Sequence, residues 1–335
     1  MNGRNAQPEY AIEADGLVKK FGGQRVVDGI SLRVPRGSIY GFLGPNGAGK
    51  TTTIRMLSTL LQPDEGFAKV MGCDLAREPE QVRRRISLTG QFASVDEDLS
   101  GRENLILIAR LVGFSRTDAR ARADDLLKAF QLEEAAQRQV KNYSGGMRRR
   151  IDIAASIVAA PDLLFLDEPT TGLDPRSRNQ VWEIIRALVR NGTTVFLTTQ
   201  YLEEADQLAD RIGVIDHGRL IAEGTSTELK ALVGAGRLTV HFQTGDDLER
   251  AAVLLGSLMQ EALEKDERAL KLVVPISDHS AAAAWISRFV TENLRISDFS
   301  MGQPSLDEVF LTLTGKKPSS QEPEGEKSEN VHQAG

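Results

Sequence analysis

Eight consecutive residues have the types and spacing of a phosphate-binding loop, G-x-x-x-x-G-K-[ST]. They are Gly44, Pro45, Asn46, Gly47, Ala48, Gly49, Lys50 and Thr51. Glycines at three of these positions let the backbone fold tightly, so that successive N–H groups point at one anion. Lys50 supplies a positive charge for the outer phosphates of a nucleotide, and the Thr51 hydroxyl is a suitable ligand for Mg²⁺. Thr52, the next residue, is also predicted to contact the nucleotide. The alternative is a glycine-rich turn followed by a chance Lys-Thr pair.

A second group of residues places two carboxylates at the end of a predicted buried strand. The segment 163–166 is fully apolar, as a central parallel strand is, and Asp167 and Glu168 follow it. In phosphate-loop enzymes a carboxylate at this strand end holds Mg²⁺, and we assign that role to Asp167. Glu168 is then predicted to act on water, as a general base or an orienting group. The alternative is an acidic helix start after a core strand.

A third group, Ser144, Gly145 and Gly146, precedes Met147 and a run of arginines. A serine and two glycines at a helix N-terminus make a second anion-binding nest. A chain with one phosphate loop has no obvious use for a second anion-binding nest on the same nucleotide. In a head-to-tail dimer, the second nest of each subunit would close over the γ-phosphate held by the other subunit. The alternative is a simple N-cap at Ser144. For Arg149 and Arg150 the sequence suggests only a solvated face.

The elements that must position these groups alternate between strands and helices, which predicts a parallel, doubly wound sheet. Strands fill most of 10–43, the loop leads into a helix over 53–61, and two helices at 103–112 and 117–130 form an insert. Beyond residue 232 the pattern restarts as a small α+β domain. Its predicted strands are 238–242, 270–275 and 294–299, and its predicted helices are 248–264, 281–291 and 305–312, the last capped by Ser305.

The predicted domains are therefore a nucleotide-binding domain over 10–232 with a helical insert at about 101–142, a C-terminal domain over 233–315 and a disordered tail over 316–335.

The net charge of −6 argues against a protein that mainly binds nucleic acid. Cys73 is the single cysteine, so no internal disulfide is possible, which fits a reducing cytoplasm. No apolar run reaches the ~18 residues of a membrane-spanning helix, so we expect any membrane role to be peripheral.

Together these groups resemble the ATP-binding-cassette (ABC) transporter ATPases, over about residues 12–224. The resemblance implies an α/β P-loop cassette with a β-rich N-terminal subdomain, ATP and Mg²⁺ as cofactors, a homodimer, and a separate membrane permease. Gln91 matches the family's Q-loop glutamine, which would touch Mg²⁺ and sense the permease. Asp174 matches the D-loop at the dimer interface. Phe21 matches the adenine-stacking aromatic, where Tyr is commoner; a core or turn aromatic is the alternative.

One departure from the family pattern concerns the switch histidine, whose position is filled by Gln200. A glutamine amide can donate a hydrogen bond to a γ-phosphate, but it cannot become a cation near neutral pH. We expect hydrolysis to persist with Glu168 as the dominant catalytic residue and Gln200 as a contributor. None of the 4 histidines offers a replacement, and His217 is interpreted as a structural turn residue.

The residues around Ser144, Gln200 at the switch and the C-terminal segment 304–311 resemble one subgroup, the ATPases of daunorubicin/doxorubicin-resistance-type exporters. This implies an ATPase on the cytoplasmic face of the membrane that drives efflux of a hydrophobic drug. A lipid, glycolipid or polysaccharide exporter is an alternative. A soluble ABC ATPase acting on ribosomes or DNA is another, disfavoured by a single cassette and no sustained heptad run. Segment 305–312 either assists subunit assembly or is simply an amphipathic helix that completes the small C-terminal domain.

Overall fold

The computed structural model describes residues 9–90, 95–232, 236–256, 263–276, 279–302 and 305–315. The strands are β1 (Tyr10–Phe21), β2 (Gln24–Pro35), β3 (Ile39–Leu43), β4 (Glu65–Val70), β5 (Cys73–Asp74), β6 (Ile86–Thr89), β7 (Leu163–Asp167), β8 (Thr194–Thr199), β9 (Arg211–Asp216), β10 (Arg219–Gly224), β11 (Arg237–Phe242), β12 (Glu264–Asp266), β13 (Lys271–Pro275) and β14 (Ile296–Gly302). The helices are α1 (Lys50–Leu57), α2 (Pro79–Arg83), α3 (Gly101–Leu111), α4 (Arg116–Ala129), α5 (Gly145–Ser156), α6 (Pro175–Arg190), α7 (Leu202–Leu208), α8 (Ser226–Ala231), α9 (Gly245–Gly256), α10 (His279–Thr291) and α11 (Leu306–Thr314).

The central sheet has the strand order β10-β9-β3-β8-β7-β6. Strands β9, β3, β8, β7 and β6 run parallel, and β10 pairs antiparallel with β9 at one edge. Every residue of β3, β7 and β8 is buried, as expected for parallel strands covered by helices on both faces. The predicted doubly wound α/β fold is therefore confirmed. Because β8 lies between β3 and β7, the segments that follow these strands meet at one edge of the sheet.

A second, antiparallel sheet with the order β2-β1-β4-β5 forms the β-rich N-terminal part. Its apolar residues share a core with one face of the central sheet and with α1. The Phe196 ring on β8 lies at the centre of that core, with the rings of Tyr40, Phe42 and Phe165 at centroid distances of 5.4, 5.5 and 5.7 Å. Aromatic contacts of this kind fix the relative position of the strands that carry the predicted site.

Helix α1 begins and ends earlier than the sequence predicted. It starts at Lys50, inside the loop motif, and ends at Leu57 rather than at residue 61. The end has a local cause, since Thr59 adopts a left-handed conformation with φ 66° that no α-helix continues. The first turn of α1 is thus part of the phosphate loop itself.

The C-terminal part is built on a third sheet with the order β12-β13-β11-β14, whose apolar face packs against α9 and α10. The helix predicted over 248–264 is wrong at its end. Helix α9 is described as far as Gly256, and Glu264, the last residue of the predicted helix, instead begins β12, which pairs with β13. Pairing with a strand that lies later in the chain outweighs the helical pattern of the segment. The predicted domain boundary at residue 232 stays a prediction.

Helix α11 returns to the nucleotide-binding part. Its buried residues Leu306, Val309 and Phe310 share a core cluster with Leu202 and Ile212. Ser305 caps this helix, since its hydroxyl accepts a hydrogen bond from the Glu308 N–H, as the sequence predicted. The predicted tail at 316–335 lies outside the described residues. No helix in the described ranges combines the length and apolar character needed to cross a bilayer.

Candidate active site

The glycines of the phosphate loop are required by the local backbone geometry. Gly47 and Gly49 have φ values of 80° and 101°, in the left-handed region that favours glycine. A Cβ atom on Gly44 would lie 2.3 Å from the Ile215 carbonyl oxygen, and one on Gly49 would lie 2.7 Å from that of Val26. The loop is therefore a tight turn packed between β2 and β9, with backbone conformations that other residues rarely adopt.

Lys50 lies against this loop and is 5% exposed. Its ammonium donates hydrogen bonds to the carbonyl oxygens of Gly44 and Pro45, at 2.8 and 3.1 Å. It also lies 3.3 Å from a carboxylate oxygen of Glu168. Burial lowers the pKa of Lys50, and the Glu168 carboxylate opposes that effect. The structure thus brings two residues from different sequence motifs into direct contact.

Hard oxygen atoms converge beside the loop. The Thr51 hydroxyl donates a hydrogen bond of 2.9 Å to one oxygen of Asp167. The Thr198 hydroxyl on β8 donates to the other oxygen at 2.5 Å, and Asp167 is 4% exposed. A hydroxyl and a single carboxylate are the kind of protein ligands that Mg²⁺ uses when substrate phosphates complete its shell. The donor set therefore fits the predicted ion, although Thr51 and Asp167 bond to each other here.

Glu168 is held in an unusual backbone conformation with φ 48°. Its N–H donates to the Thr198 carbonyl at 3.1 Å, and the Thr171 hydroxyl donates to its side chain at 3.3 Å. A non-glycine residue in this region costs of the order of 1–3 kcal/mol and persists only where the surroundings hold it. Its side chain is 11% exposed and faces Lys50. The conformation turns the carboxylate towards the phosphate loop.

An open cavity of about 630 Å³ lies at this edge of the sheet. Residues from several predicted motifs line it, among them Asn46, Gly145, Glu168, Gly172 and Gln200. Gln200 follows β8 and is partly exposed. The cavity shows that Gln200 borders the same space as the loop and Glu168, which the sequence order alone could not establish.

Ser144 caps α5, since its hydroxyl accepts a hydrogen bond from the Met147 N–H at 3.3 Å. Ser144 and Gly145 are exposed, whereas Gly146 is buried. Asp174 caps α6 in the same way, with the Ser177 N–H at 2.9 Å. The cap is therefore present and leaves Ser144 and Gly145 accessible, and the anion-binding nest stays a prediction.

Gly146 packs directly on α6. A Cβ atom there would lie 2.3 Å from the Ser177 hydroxyl oxygen and 2.6 Å from its Cβ. We expect Gly146→Ala to lower the free energy of unfolding by about 1–3 kcal/mol, because α5 would have to move away from α6. Urea denaturation measures the loss, and adding Ser177→Gly restores part of it. At Gly145 a Cβ meets only a Leu173 carbon at 3.7 Å, so equal losses for Gly145→Ala and Gly146→Ala contradict the packing argument.

Phe21 closes β1 at the start of a turn, and its side chain is 49% exposed. The ammonium of Lys19 lies 5.8 Å from the ring centroid. The ring is thus not part of the core, and the alternative that Phe21 is a core aromatic is wrong.

Gln91 lies outside the described residues, so its predicted contact with Mg²⁺ stays a prediction.

Two groups of charged residues with little solvent exposure were missed or misread from the sequence. Arg149 and Arg150, predicted as a solvated face, have side chains that donate to the backbone carbonyls of Pro169 and Phe130, both at 2.9 Å. Helical spacing could have shown this, because residues four positions further along α5, at 153 and 154, are apolar.

The second missed group is Glu204, which is 1% exposed. It accepts hydrogen bonds from the Thr170 hydroxyl at 2.7 Å and the Trp182 indole at 3.2 Å. Burial raises the pKa of this carboxyl. Nothing in the local sequence distinguishes it from the exposed Glu203 beside it. Glu204, on α7, therefore ties the segment after Glu168 to α6.

Comparisons with known proteins agree with this geometry. Residues 27–171 match the family described as ABC transporter, and residues 224–314 match the family described as ATP-binding protein DrrA1-3-like, C-terminal domain. The chain is 58% identical to the daunorubicin/doxorubicin resistance ATP-binding protein DrrA of Streptomyces peucetius, over 93% of this chain and 94% of that protein. It is 45% identical to the doxorubicin resistance ATP-binding protein DrrA of Mycobacterium tuberculosis, over 91% of this chain and 94% of that protein.

A solved structure of the ATP-binding subunit of an ABC transporter superposes with a TM-score of 0.60 and 29% identity. The match covers 66% of this chain and 92% of that one. The chain therefore belongs to the ABC transporter family, as an ATP-binding and ATP-hydrolysing subunit that carries a DrrA-like C-terminal domain.

Proposed function

We propose that this ATPase energises export of a hydrophobic drug of the anthracycline type through a separate membrane permease. The observation that carries the proposal is the similarity to drug-resistance ATP-binding proteins, which extends through the C-terminal domain as well as the cassette. Cassettes alone are shared by transporters with many cargoes, so similarity confined to them would say little about the cargo.

In the proposed site, the loop 44–51 binds the phosphates of ATP through the backbone N–H groups of its residues other than Pro45, together with Thr52, and the ring of Phe21 stacks on adenine. Lys50 exchanges its loop carbonyls for oxygens of the outer phosphates. Thr51, Asp167 and Gln91 hold Mg²⁺, which when bound neutralises charge on the phosphates. The contact between Thr51 and Asp167 supports this, since both oxygens already lie together.

Hydrolysis is assigned to Glu168 as general base, with Gln200 as a hydrogen-bond donor to the γ-phosphate. Binding of the γ-phosphate gives Lys50 a new anionic partner in place of Glu168, which frees the carboxylate to accept a proton from water. The Thr171 hydroxyl and the backbone contact to Thr198 keep this carboxylate oriented during the exchange. Gln200 acts without a change of charge, because an amide does not titrate.

The complete site is proposed to need two copies of the chain. Ser144 and Gly145 are exposed at the N-terminus of α5, where a second copy can present them to ATP held in the opposite loop. Asp174 lies next to this nest, because it caps α6 through Ser177, on which Gly146 packs. A single copy would then bind ATP and hydrolyse it poorly.

The permease is proposed to dock on the helical insert, which places the chain peripherally at the cytoplasmic face of the membrane. The end of α3 exposes apolar side chains there, with Leu107 46%, Leu111 77% and Val112 49% exposed. A cluster of exposed apolar residues on one helix is typical of a protein interface.

Drug resistance tests the proposal. The chain and its permease, expressed together in a sensitive host, are expected to raise the inhibitory concentration of daunorubicin several-fold. Lys50→Ala removes the phosphate-binding charge and is expected to abolish that gain. Lys69→Ala, an exposed position on β4, is expected to keep it. If the complex hydrolyses ATP but confers no resistance, the cargo belongs to another class, such as a lipid or polysaccharide.

A further inference from the structure

Arg149 links the ends of two neighbouring strands of the central sheet. It lies in the second turn of α5, and its side chain is 11% exposed. The guanidinium donates to the Gly90 carbonyl after β6 at 3.0 Å and to the Pro169 carbonyl after β7 at 2.9 Å. A longer contact of 3.4 Å reaches the carbonyl of Asp167.

These acceptors enclose the proposed catalytic base. Asp167 and Pro169 are the residues immediately before and after Glu168, and one planar guanidinium contacts the carbonyls of both. Only arginine presents several donors in a fixed fork, so a single side chain can hold two peptide groups at a set spacing. The strained backbone of Glu168, with φ 48°, requires such external support.

The charge of Arg149 is balanced inside the protein. Asp152, 3% exposed and one turn further along α5, places a carboxylate oxygen 3.4 Å from the guanidinium. Burial lowers the pKa of Arg149, and the carboxylates of Asp152, Glu204 and Asp167 oppose that effect. Removing the Arg149 charge from water costs desolvation free energy, even with carboxylates nearby. Its location beside Glu168 therefore suggests a function at that residue.

We propose that Arg149 is a positioning residue for ATP hydrolysis: it holds the backbone on both sides of Glu168 and thereby aims that carboxylate at the phosphate loop. The proposal rests on the proposed role of Glu168 as general base. Because Arg149 belongs to the helix that begins with the Ser144 nest, it also connects the position of that nest to the position of Glu168.

The first test compares ATP hydrolysis and ATP binding. Arg149→Gln is expected to lower kcat by about 10- to 100-fold, the scale of a small misplacement of a reacting group. Affinity for a fluorescent ATP analogue is expected to change less than about threefold, since the guanidinium contacts no residue of the phosphate loop. Arg149→Lys keeps the charge without the fork and is expected to fall between Arg149→Gln and the unmodified chain.

The matched control is Arg122→Gln. Arg122 on α4 also donates to two backbone carbonyls, those of Ile157 at 2.9 Å and Val158 at 3.2 Å, at the far end of α5. It is expected to lower the unfolding midpoint while leaving kcat within about twofold. If Arg122→Gln reduces kcat as much as Arg149→Gln, the effect is general destabilisation and the proposal is wrong.

A double-mutant cycle decides whether Arg149 acts through Glu168. In a Glu168→Gln background, Arg149→Gln is expected to change the residual rate less than about twofold, because the group it positions is already gone. An equal fold-loss in both backgrounds overturns the proposal. If Glu168→Gln alone leaves the rate unchanged, the proposed function of that residue fails instead. Should Arg149→Gln not fold, the same cycle with Arg149→Lys gives the answer.

Discussion

Glu168→Gln lowers the rate of ATP hydrolysis by about 10²- to 10⁴-fold, the contribution expected of a general base. The substitution keeps the size of the side chain and a hydrogen bond to the Thr171 hydroxyl, but an amide cannot accept a proton from water. ATP binding is expected to persist. The Glu168 carboxylate, 3.3 Å from Lys50, competes with phosphate for this ammonium, and the substitution removes that competitor. Phosphate release by the complex with its permease measures the first effect, and a fluorescent ATP analogue measures the second.

The matched control for this substitution is Glu80→Gln on α2, whose side chain is 76% exposed. It changes the net charge equally and is expected to leave the rate within about twofold, as surface substitutions usually do. If the Glu168→Gln protein retains half of the hydrolysis rate of the unmodified protein, Glu168 is not the general base. In that case the buried Glu204 carboxyl, which is tied to the same segment, becomes the next candidate.

Mixing two inactive variants restores hydrolysis if the site is shared between copies. Lys50→Met disables the phosphate loop, and Gly145→Asp places a carboxylate in the nest where a phosphate would lie. An aspartate is tolerated at the N-terminus of a helix, and Gly145 has room for a side chain, so the fold is expected to survive. In a mixed dimer, one of the two sites then combines an intact loop with an intact nest.

Random mixing makes half of the dimers mixed, so the expected rate is about a quarter of that of the unmodified protein. Phosphate release is measured with the permease present, before and after the two variants are combined. The control mixes Lys50→Met with the double variant Lys50→Met/Gly145→Asp, which provides no intact loop and is expected to remain inactive. A mixture no more active than its two parents argues that each copy works alone.

The short motifs could be identified from the sequence because their function depends on neighbouring residues. The conformations of Gly47 and Gly49 and the cap at Ser144 arise within a few residues of chain, so local spacing was enough. The parallel sheet followed from the alternation of apolar strands and helices, because a strand covered on both faces must be apolar throughout. Helix ends were less predictable, as the strand at Glu264 shows.

What the tertiary structure decided is which distant groups touch. Lys50 and Glu168 lie 3.3 Å apart only because β8 brings the ends of β3 and β7 to one edge. Arg149 looked like one of three exposed arginines, yet its partners Gly90 and Pro169 come from segments far from each other in the chain. Helical spacing could have indicated that Arg149 faces the protein interior, but its hydrogen-bond partners depend on long-range contacts, which no local pattern of residue types encodes. The sequence by itself therefore determined the chemistry that the chain carries, and the packing of the sheet and α5 decided how that chemistry is aimed.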